Sequence, residues 1–359
     1  MAGGGTGGHV VPSLAVAEEL RRRGHECVFI GVKQGVEAKL VPAADFPIEW
    51  INIRGFQRTS IWNRARTLVK LPWAVLRSRR LLRRHQAAAV FSSGGYVAGP
   101  VMIAASWCRI PMVLMEPNAM PGLVSRKMAR RVARALISFP ETAEAFPPGV
   151  AELAGLPVRA AFFDLPMRPP RDPLTILVTG GSLGARALNR TVRDSWRLFK
   201  AAGVKVRWIV QTGEAEAGVT DEALKKLGVE GRVAPFFSDM PAVFDEADLI
   251  IGRAGAGACA EIRAAGKPAL LVPFPFAADD HQTANARALA AAGAALEVPE
   301  AAFTPRRLFE IVDAFVQEPA LLETMAKAAR VEAKAGAARR AAEVLEEIAV
   351  DTASQRRNN

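Results

Sequence analysis

The chain of 359 residues has little cysteine: Cys27, Cys108 and Cys259 are odd in number, far apart and without metal-ligand spacing. That arrangement argues against a disulfide framework and makes a reducing compartment the expectation. Nowhere do eighteen consecutive apolar residues occur, so no segment is expected to cross a bilayer as a helix. The opening MAGGGTGGHV has no charged segment followed by an apolar one, so no secretory signal is expected there. Acidic residues are missing altogether from 54–84, which carries ten Lys and Arg. Residues 1–160 hold a net +12 and the remainder −1, so the whole excess lies in the first half. A field so lopsided implies an anionic partner: nucleic acid, anionic lipid or a phosphorylated substrate.

Half of the residues are apolar, too many for a disordered chain. The length suggests two domains at roughly 100–200 residues each. Short apolar runs at 26–31, 48–53, 88–92, 112–115 and 135–138 alternate with helical patterns such as PSLAVAEELRRR at 12–23. Five prolines punctuate 155–173, which reads as a linker. The alternation restarts with strands expected at 174–179, 206–211, 233–237, 249–252, 269–273 and 295–298. A last helix is expected over 334–349, with SQRRNN a frayed tail. The fold class is therefore α/β: two Rossmann-like domains with parallel sheets, facing each other across a cleft. The expected division is 1–158, 159–335 and a terminal segment 336–359 whose helix packs back on the first domain.

Gly3, Gly5 and Gly8 match G-x-G-x-x-G, but the following strand CVFIGV ends without the acid that a dinucleotide's ribose requires. The physics of the loop survives without that cofactor. Glycine lets backbone approach a ligand, and free N–H groups at a helix start favour phosphate. Three more such loops occur: SSGGYVAGP at 92–100, TGGSLGA at 179–185 and GRAGAGACAEI at 252–262. Tight strand–helix packing would account for one or two of the four.

GGTGGHVVPSLAVAEEL, GGYVAGP, the EPN of 116–118, GLPVR, GGSLGARALN, RAGAGACAEI and PFPFAADDHQTANARAL stand in one order along nearly the whole chain. In that order they resemble the MurG family, the peptidoglycan N-acetylglucosaminyltransferases that make lipid II. The resemblance implies a glycosyltransferase B-type fold. It also implies inverting transfer of GlcNAc from UDP-GlcNAc to the C4 hydroxyl of MurNAc in undecaprenyl-linked lipid I, with no cofactor and no metal in the chemistry. Partners would be UDP-GlcNAc, lipid I, the anionic cytoplasmic face of the inner membrane and cell-wall synthesis proteins, but no nucleic acid.

His9 is one of only four histidines. A side chain that titrates near pH 6.5 suits the base that deprotonates the attacking hydroxyl. By resemblance, Thr6, Gly7 and Gly8 line the junction of acceptor and donor. Glu261, expected where a helix begins, can accept both hydroxyls of a ribose diol. The amides of Ala256, Gly257, Ala258, Cys259 and Ala260 are candidates for the donor diphosphate. Ala258 stands where the family usually has Thr or Ser, which removes a hydroxyl contact and leaves more of that charge to the backbone. Gln282 and Asn285 match the sugar end of the donor, Asn118, Arg159 and Ser182 match other donor positions, and Phe237 matches the residue whose backbone addresses uracil. Met115 and Pro117 replace a histidine and a glutamine of the family beside Asn118.

The basic stretch 54–84 interleaves its charge with Ile61, Trp62, Leu68, Trp73 and other apolar residues at helical spacing, with Pro72 expected to open a second helix. That pattern suits an interfacial membrane anchor better than nucleic acid, for which a recognised motif is missing. Transfer to another lipid such as diacylglycerol, a UDP-GlcNAc 2-epimerase and an inactive lipid-binding relative stay open. Only Met1, Ala2 and Gly3 precede Gly4, where relatives carry an apolar strand. A strand needs about five residues, so none is expected from the residues present, and the native chain is expected to begin several residues upstream.

Overall fold

The computed structural model describes residues 1–53, 61–181 and 184–357, with the backbone alone for 61–68 and 351–357. The chain divides into two compact units, Met1–Pro157 with Gly336–Asn359, and Val158–Ala335.

The first unit runs β1 (Ala2–Gly3), α1 (Gly7–Arg22), β2 (Phe29–Gly31), α2 (Glu37–Ala43), β3 (Ile48–Trp50), α3 (Ile61–Arg84) and β4 (Val90–Gly94). It continues with α4 (Ala98–Trp107), β5 (Met112–Glu116), α5 (Leu123–Met128), β6 (Arg134–Ile137) and β7 (Ala151–Leu153). All pairings are parallel, in the order β3-β2-β1-β4-β5-β6-β7. β4 and β5 are buried along their whole length, as strands covered by helices on both faces must be.

Three expectations are corrected here. A first strand does form: Ala2 pairs with Ile30 on one side and Ser92 on the other, and Gly3 with Gly94. Two residues suffice because Met1 extends the ladder, its carbonyl accepting from Ile30 N–H (3.0 Å) and its amino group donating to the Val28 carbonyl (2.8 Å). Pro72 opens no new helix. It lies inside α3, which gives up one backbone bond there and is held by Ala74, Val75, Ser78, Leu81 and Leu82, buried at helical spacing along the face that packs on α4. β7 has no counterpart among the expected strands, because it is a short edge strand, half-exposed and without alternation.

The second unit runs β8 (Leu174–Thr179), α6 (Arg186–Ala202), β9 (Val206–Gln211), α7 (Ala217–Leu227), β10 (Gly231–Ala234), α8 (Met240–Glu246) and β11 (Leu249–Gly252). After these come α9 (Ala256–Ala265), β12 (Ala269–Leu271), α10 (His281–Ala291), β13 (Ala295–Glu297), α11 (Pro305–Gln317) and α12 (Ala320–Val331). Its parallel sheet has the order β10-β9-β8-β11-β12-β13. Leu188, Val192, Trp196 and Phe199 form the buried stripe of α6, and Trp208 of β9 meets Trp196 and Phe199 edge-on at 6.3 and 5.4 Å.

A final helix, α13 (Ala337–Arg357), belongs to the first unit and packs along α1. Its Glu346 pairs with Arg23 (3.1 Å) and His25 (2.8 Å), and its Arg340 with Glu152 (2.6 Å). The helix runs through residues expected to fray, since nothing between 349 and 357 breaks it. Among the described residues no helix is long and apolar enough to cross a membrane.

Candidate active site

Ligands of open parallel sheets bind beyond the carboxyl ends of the strands, where the strand order reverses. In the first unit that point lies between β1 and β4, and in the second between β8 and β11. The four glycine loops are the exits of these four strands.

In the first unit His9 is in the first turn of α1. Its Nδ1 lies 2.7 Å from the Ser93 carbonyl. A carbonyl only accepts, so Nδ1 carries the proton and Nε2 of the neutral ring holds the lone pair a base needs. The ring rests on the loop after β4, where a Cβ at Gly94 or Gly95 would come within 3.4 or 3.2 Å of it. The His9 carbonyl accepts from Ser13 Oγ (3.0 Å) and Ser93 Oγ (2.6 Å), which locks the turn onto that loop.

Glu37, at the start of α2, is buried and was not singled out in the sequence. Its Oε2 accepts from Gly5 N–H (2.9 Å) and its Oε1 from Val32 N–H (3.1 Å). A Cβ at Gly4, Gly31 or Gly35 would stand 2.5, 2.7 or 2.1 Å from this side chain. Those glycines make room for a carboxylate inside the protein, whereas a Cβ at Gly7 would meet nothing within 4 Å, and one at Gly8 only Thr6 Oγ1 at 3.9 Å. Packing therefore accounts for the front of GGTGGH, and space for a ligand remains at its end. Thr6 is the exposed N-cap residue and makes no side-chain cap.

Glu116 plays the corresponding part after β5. It accepts from Asn118 N–H (3.1 Å), Asn118 Nδ2 (3.3 Å), Gly122 N–H (3.1 Å) and the Ser125 hydroxyl, and so fixes the 116–125 turn. Met115 and Pro117 are buried, so the polar chemistry of this segment rests on Glu116 and Asn118.

In the second unit α9 begins at Ala256 with Gly255 as N-cap and no side-chain cap. The N–H groups of Ala256, Gly257 and Ala258 lack helical acceptors at such an end, which carries partial positive charge. The candidate set narrows here. Cys259 N–H donates to the Gly255 carbonyl (3.0 Å), and Ala260 is already in the i→i−4 ladder, so neither amide is open to a diphosphate. A Cβ at Gly255 or Gly257 would meet nothing within 4 Å.

Glu261 is the sixth residue of α9 rather than its first. Burial pushes its carboxyl up to about 7, and the nearby Arg159 guanidinium partly offsets the rise. Arg159 itself is exposed, with its guanidinium 5.2 Å from the Phe162 ring. Gln282 Oε1 accepts from Phe274 N–H (2.9 Å), which leaves its amide nitrogen for another acceptor. Asn285 is corrected: it is fully buried and its Nδ2 donates to the Ala254 carbonyl (3.0 Å), so it shapes the loop after β11 instead of reaching a sugar. Phe237 N–H donates to Gln211 Oε1 (2.9 Å). Ser182 lies outside the described residues. Asp279 and Asp280 both adopt left-handed backbone (φ 49° and 52°), and Asp280 Oδ1 accepts from Thr283 Oγ1 (2.6 Å). Among the described residues no group of three or more His, Cys, Asp or Glu could hold a metal ion.

On α3, Val69 and Trp73 are 71% and 73% exposed, and Leu76 joins them at the spacing of one stripe opposite the buried face. Lys70, Arg80 and Arg83 are exposed or nearly so beside it. The side chains of Ile61, Trp62 and Leu68 lie outside the described residues.

Residues 1–137 match the glycosyltransferase family 28 N-terminal domain, and residues 175–343 its C-terminal domain. The chain belongs to glycosyltransferase family 28. A UDP-N-acetylglucosamine–N-acetylmuramyl-(pentapeptide) pyrophosphoryl-undecaprenol N-acetylglucosamine transferase of Solibacter usitatus is 53% identical over 97% of this chain and 95% of its own length. The enzyme of the same description from Nitrosococcus oceani is 42% identical over 96% of this chain and 97% of its own. These relatives put the chain among the N-acetylglucosaminyltransferases of peptidoglycan synthesis. The crystal structure of Acinetobacter baumannii MurG matches with a TM-score of 0.82 at 32% identity, covering 97% of this chain and 98% of that one. A UDP-GlcNAc 2-epimerase of Neisseria meningitidis shares the fold (TM-score 0.62, 13% identity, 94% and 96% covered). At that identity the likeness extends to the fold alone.

Proposed function

We propose that this chain transfers GlcNAc from UDP-GlcNAc to the C4 hydroxyl of MurNAc in lipid I, with His9 as base and the start of α9 as the seat of the donor diphosphate. The observation that carries the reading is the end of α9: three N–H groups without helical acceptors, one turn ahead of the Glu261 carboxylate. The N–H groups suit a diphosphate and the carboxylate a ribose diol, which together are the chemistry of a nucleotide sugar. In the transfer the acceptor oxygen bonds to the anomeric carbon from the face opposite the diphosphate. The carbon–oxygen bond to the β-phosphate breaks, and its electron pair leaves with UDP. The hydroxyl proton passes to His9 Nε2, and the helix end stabilises the charge that grows on the phosphate. Thr6, Gly7 and Gly8 border the acceptor, and Gln282 holds the sugar with its amide nitrogen. Asn118 and Arg159 complete the donor contacts. Radiolabelled UDP-GlcNAc supplied with lipid I tests this: label in the lipid supports it, while release of UDP-ManNAc, or no turnover with lipid still bound, overturns it.

Donor affinity should depend on pH with a definite sign. The ribose hydroxyls donate, so they bind the ionised carboxylate, and ionisation of Glu261 is held back to about 7. Binding then releases a proton below that pH. UDP-GlcNAc should bind about tenfold more weakly at pH 6 than at pH 8, as linkage to one such group requires. Calorimetric titrations across that range should give this slope in the wild type and a flat profile in Glu261→Gln.

The apolar stripe of α3 with its flanking bases is the membrane contact, on the cytoplasmic face of the inner membrane. Each Lys or Arg near an anionic leaflet adds about 1 kcal/mol. Replacing Val69, Trp73 and Leu76 together by Ser should lower partition into anionic vesicles by about 10- to 100-fold, since each such side chain is worth about 1.5–3 kcal/mol at full burial and shallow insertion recovers about a third of that. UDP-GlcNAc binding should be unchanged. Co-sedimentation equal to that of the wild type would place the contact elsewhere.

A further inference from the structure

Gln211 is the last residue of β9, is 2% exposed and has no part in the reading above. Its Oε1 accepts from Phe237 N–H (2.9 Å), and its Nε2 donates to Thr179 Oγ1 (3.2 Å) and the Gly181 carbonyl (3.3 Å). The orientation of the amide is fixed by its neighbours, because Phe237 N–H can only donate and the Gly181 carbonyl can only accept. One buried side chain thus joins the exits of three adjacent strands, β8, β9 and β10. Two of those exits are the glycine pair Gly180–Gly181 and the Phe237 segment. Thr179 Oγ1 tightens the first by accepting from Gly181 N–H (3.2 Å).

The far end of the same loop is fixed by shape. A Cβ at Gly184 would lie 1.8 Å from the Thr212 carbonyl, which also accepts from Asn189 Nδ2 (3.0 Å). Near Gly181 there is no such constraint: its φ is +83° and a Cβ there would meet nothing within 4 Å. A glycine in open space can turn its peptide groups at little cost, so their direction rests on hydrogen bonds. The Gly181 carbonyl accepts from Gly184 N–H (3.0 Å) on the loop side and from Gln211 Nε2 on the side of the strands.

We infer that Gln211 is a positioning residue for the nucleotide: without touching it, the side chain holds Thr179 and Gly181 at the exit of β8 and Phe237 beyond β10 in the geometry that binds UDP. The inference rests on the reading of the second unit as the donor site. If the wild type failed to bind UDP, that reading would fall first, so the wild-type titration separates the two.

Two substitutions test it. Gln211→Leu keeps the bulk and removes all three bonds. It should raise Kd for UDP and KM for UDP-GlcNAc about tenfold, the effect of losing one or two net hydrogen bonds. At saturating donor kcat should stay within about threefold of wild type, since no reacting group is altered. Gln211→Glu is the conservative variant. Protonated, its carboxyl presents one acceptor to Phe237 N–H and one donor to the Gly181 carbonyl, as glutamine does. Ionised, it sets two oxygens against each other. Its UDP affinity relative to wild type should therefore be close to one at low pH and fall as pH rises, opposite in direction to the trend set by Glu261. A Gln211→Leu protein that binds UDP as the wild type does overturns the inference, whether its melting temperature is kept or lowered. A Gln211→Glu protein whose affinity ratio is flat between pH 5.5 and 8.5 overturns it as well, even if the leucine variant does not fold.

Discussion

Replacing His9 by alanine should lower the transfer rate by about 10²–10⁴, the usual contribution of a positioned base. Nδ1 is committed to the Ser93 carbonyl at 2.7 Å, so the neutral ring has its lone pair on Nε2. The plane of the ring is set by the loop after β4, where Gly94 and Gly95 leave just enough space for it. The base is thus held in one tautomer and one orientation before any substrate arrives, which spares the reaction that ordering step. His9 belongs to the first unit and the proposed donor contacts at α9 to the second, so UDP affinity should stay within about twofold of wild type. Loss of kcat without loss of donor binding is the signature of a group that acts in the transition state. Steady-state rates at saturating UDP-GlcNAc and lipid I, with a UDP titration alongside, measure both quantities. A fall in kcat of less than tenfold would leave His9 as a residue that only shapes the α1 turn.

Much of this was legible in the sequence because it was periodic or punctuated. The strand LTILVT is continuous apolar sequence, and it spans the residues of β8. The alternation of such runs with helical patterns fixes parallel α/β sheets in both halves. Other features depend on neighbours distant in sequence. β7 is a three-residue edge strand paired with β6, and a pattern that short carries no signal. β1 exists because β2 and β4 flank it on both sides, and its own residues would not have argued for it. The glycine loops were legible as loops, but their glycines divide into two kinds that look alike in sequence. Gly4, Gly31 and Gly35 accommodate Glu37, and Gly7, Gly255 and Gly257 face open space. Nothing in GVKQGVEA says that its glutamate folds back under GGTGGH; a buried carboxylate serving two backbone N–H groups is visible only once the chain has folded. Asn285 erred the other way. Its motif suggested a sugar contact, while its burial makes it a support for the loop at Ala254.

Replacing Glu261 by alanine should weaken UDP-GlcNAc binding by about 10- to 150-fold, the range for losing hydrogen bonds to a charged group. The same change should not cost stability. Burial raises the folded-state pKa of this carboxyl to about 7 from 4.5, so its ionised form is disfavoured in the free enzyme. A carboxyl raised in this way destabilises the folded state where it is ionised, above about pH 7. That penalty fades as pH falls and is gone below the unfolded value. Removing it should leave the melting temperature of the free protein at pH 8 equal to that of the wild type or higher. At pH 5, close to the unfolded value of 4.5, most of that gain should be gone. A site kept at a cost to the free protein is the expected condition of a group whose partner arrives with the ligand. UDP stabilises the protein by mass action, so saturating UDP should raise the wild-type melting temperature more than that of the alanine variant. Calorimetric titration with UDP-GlcNAc and thermal melting at the two pH values measure these effects. Unchanged donor affinity would remove Glu261 from the site, and a lower melting temperature at pH 8 would mean that its carboxylate has a partner within the protein.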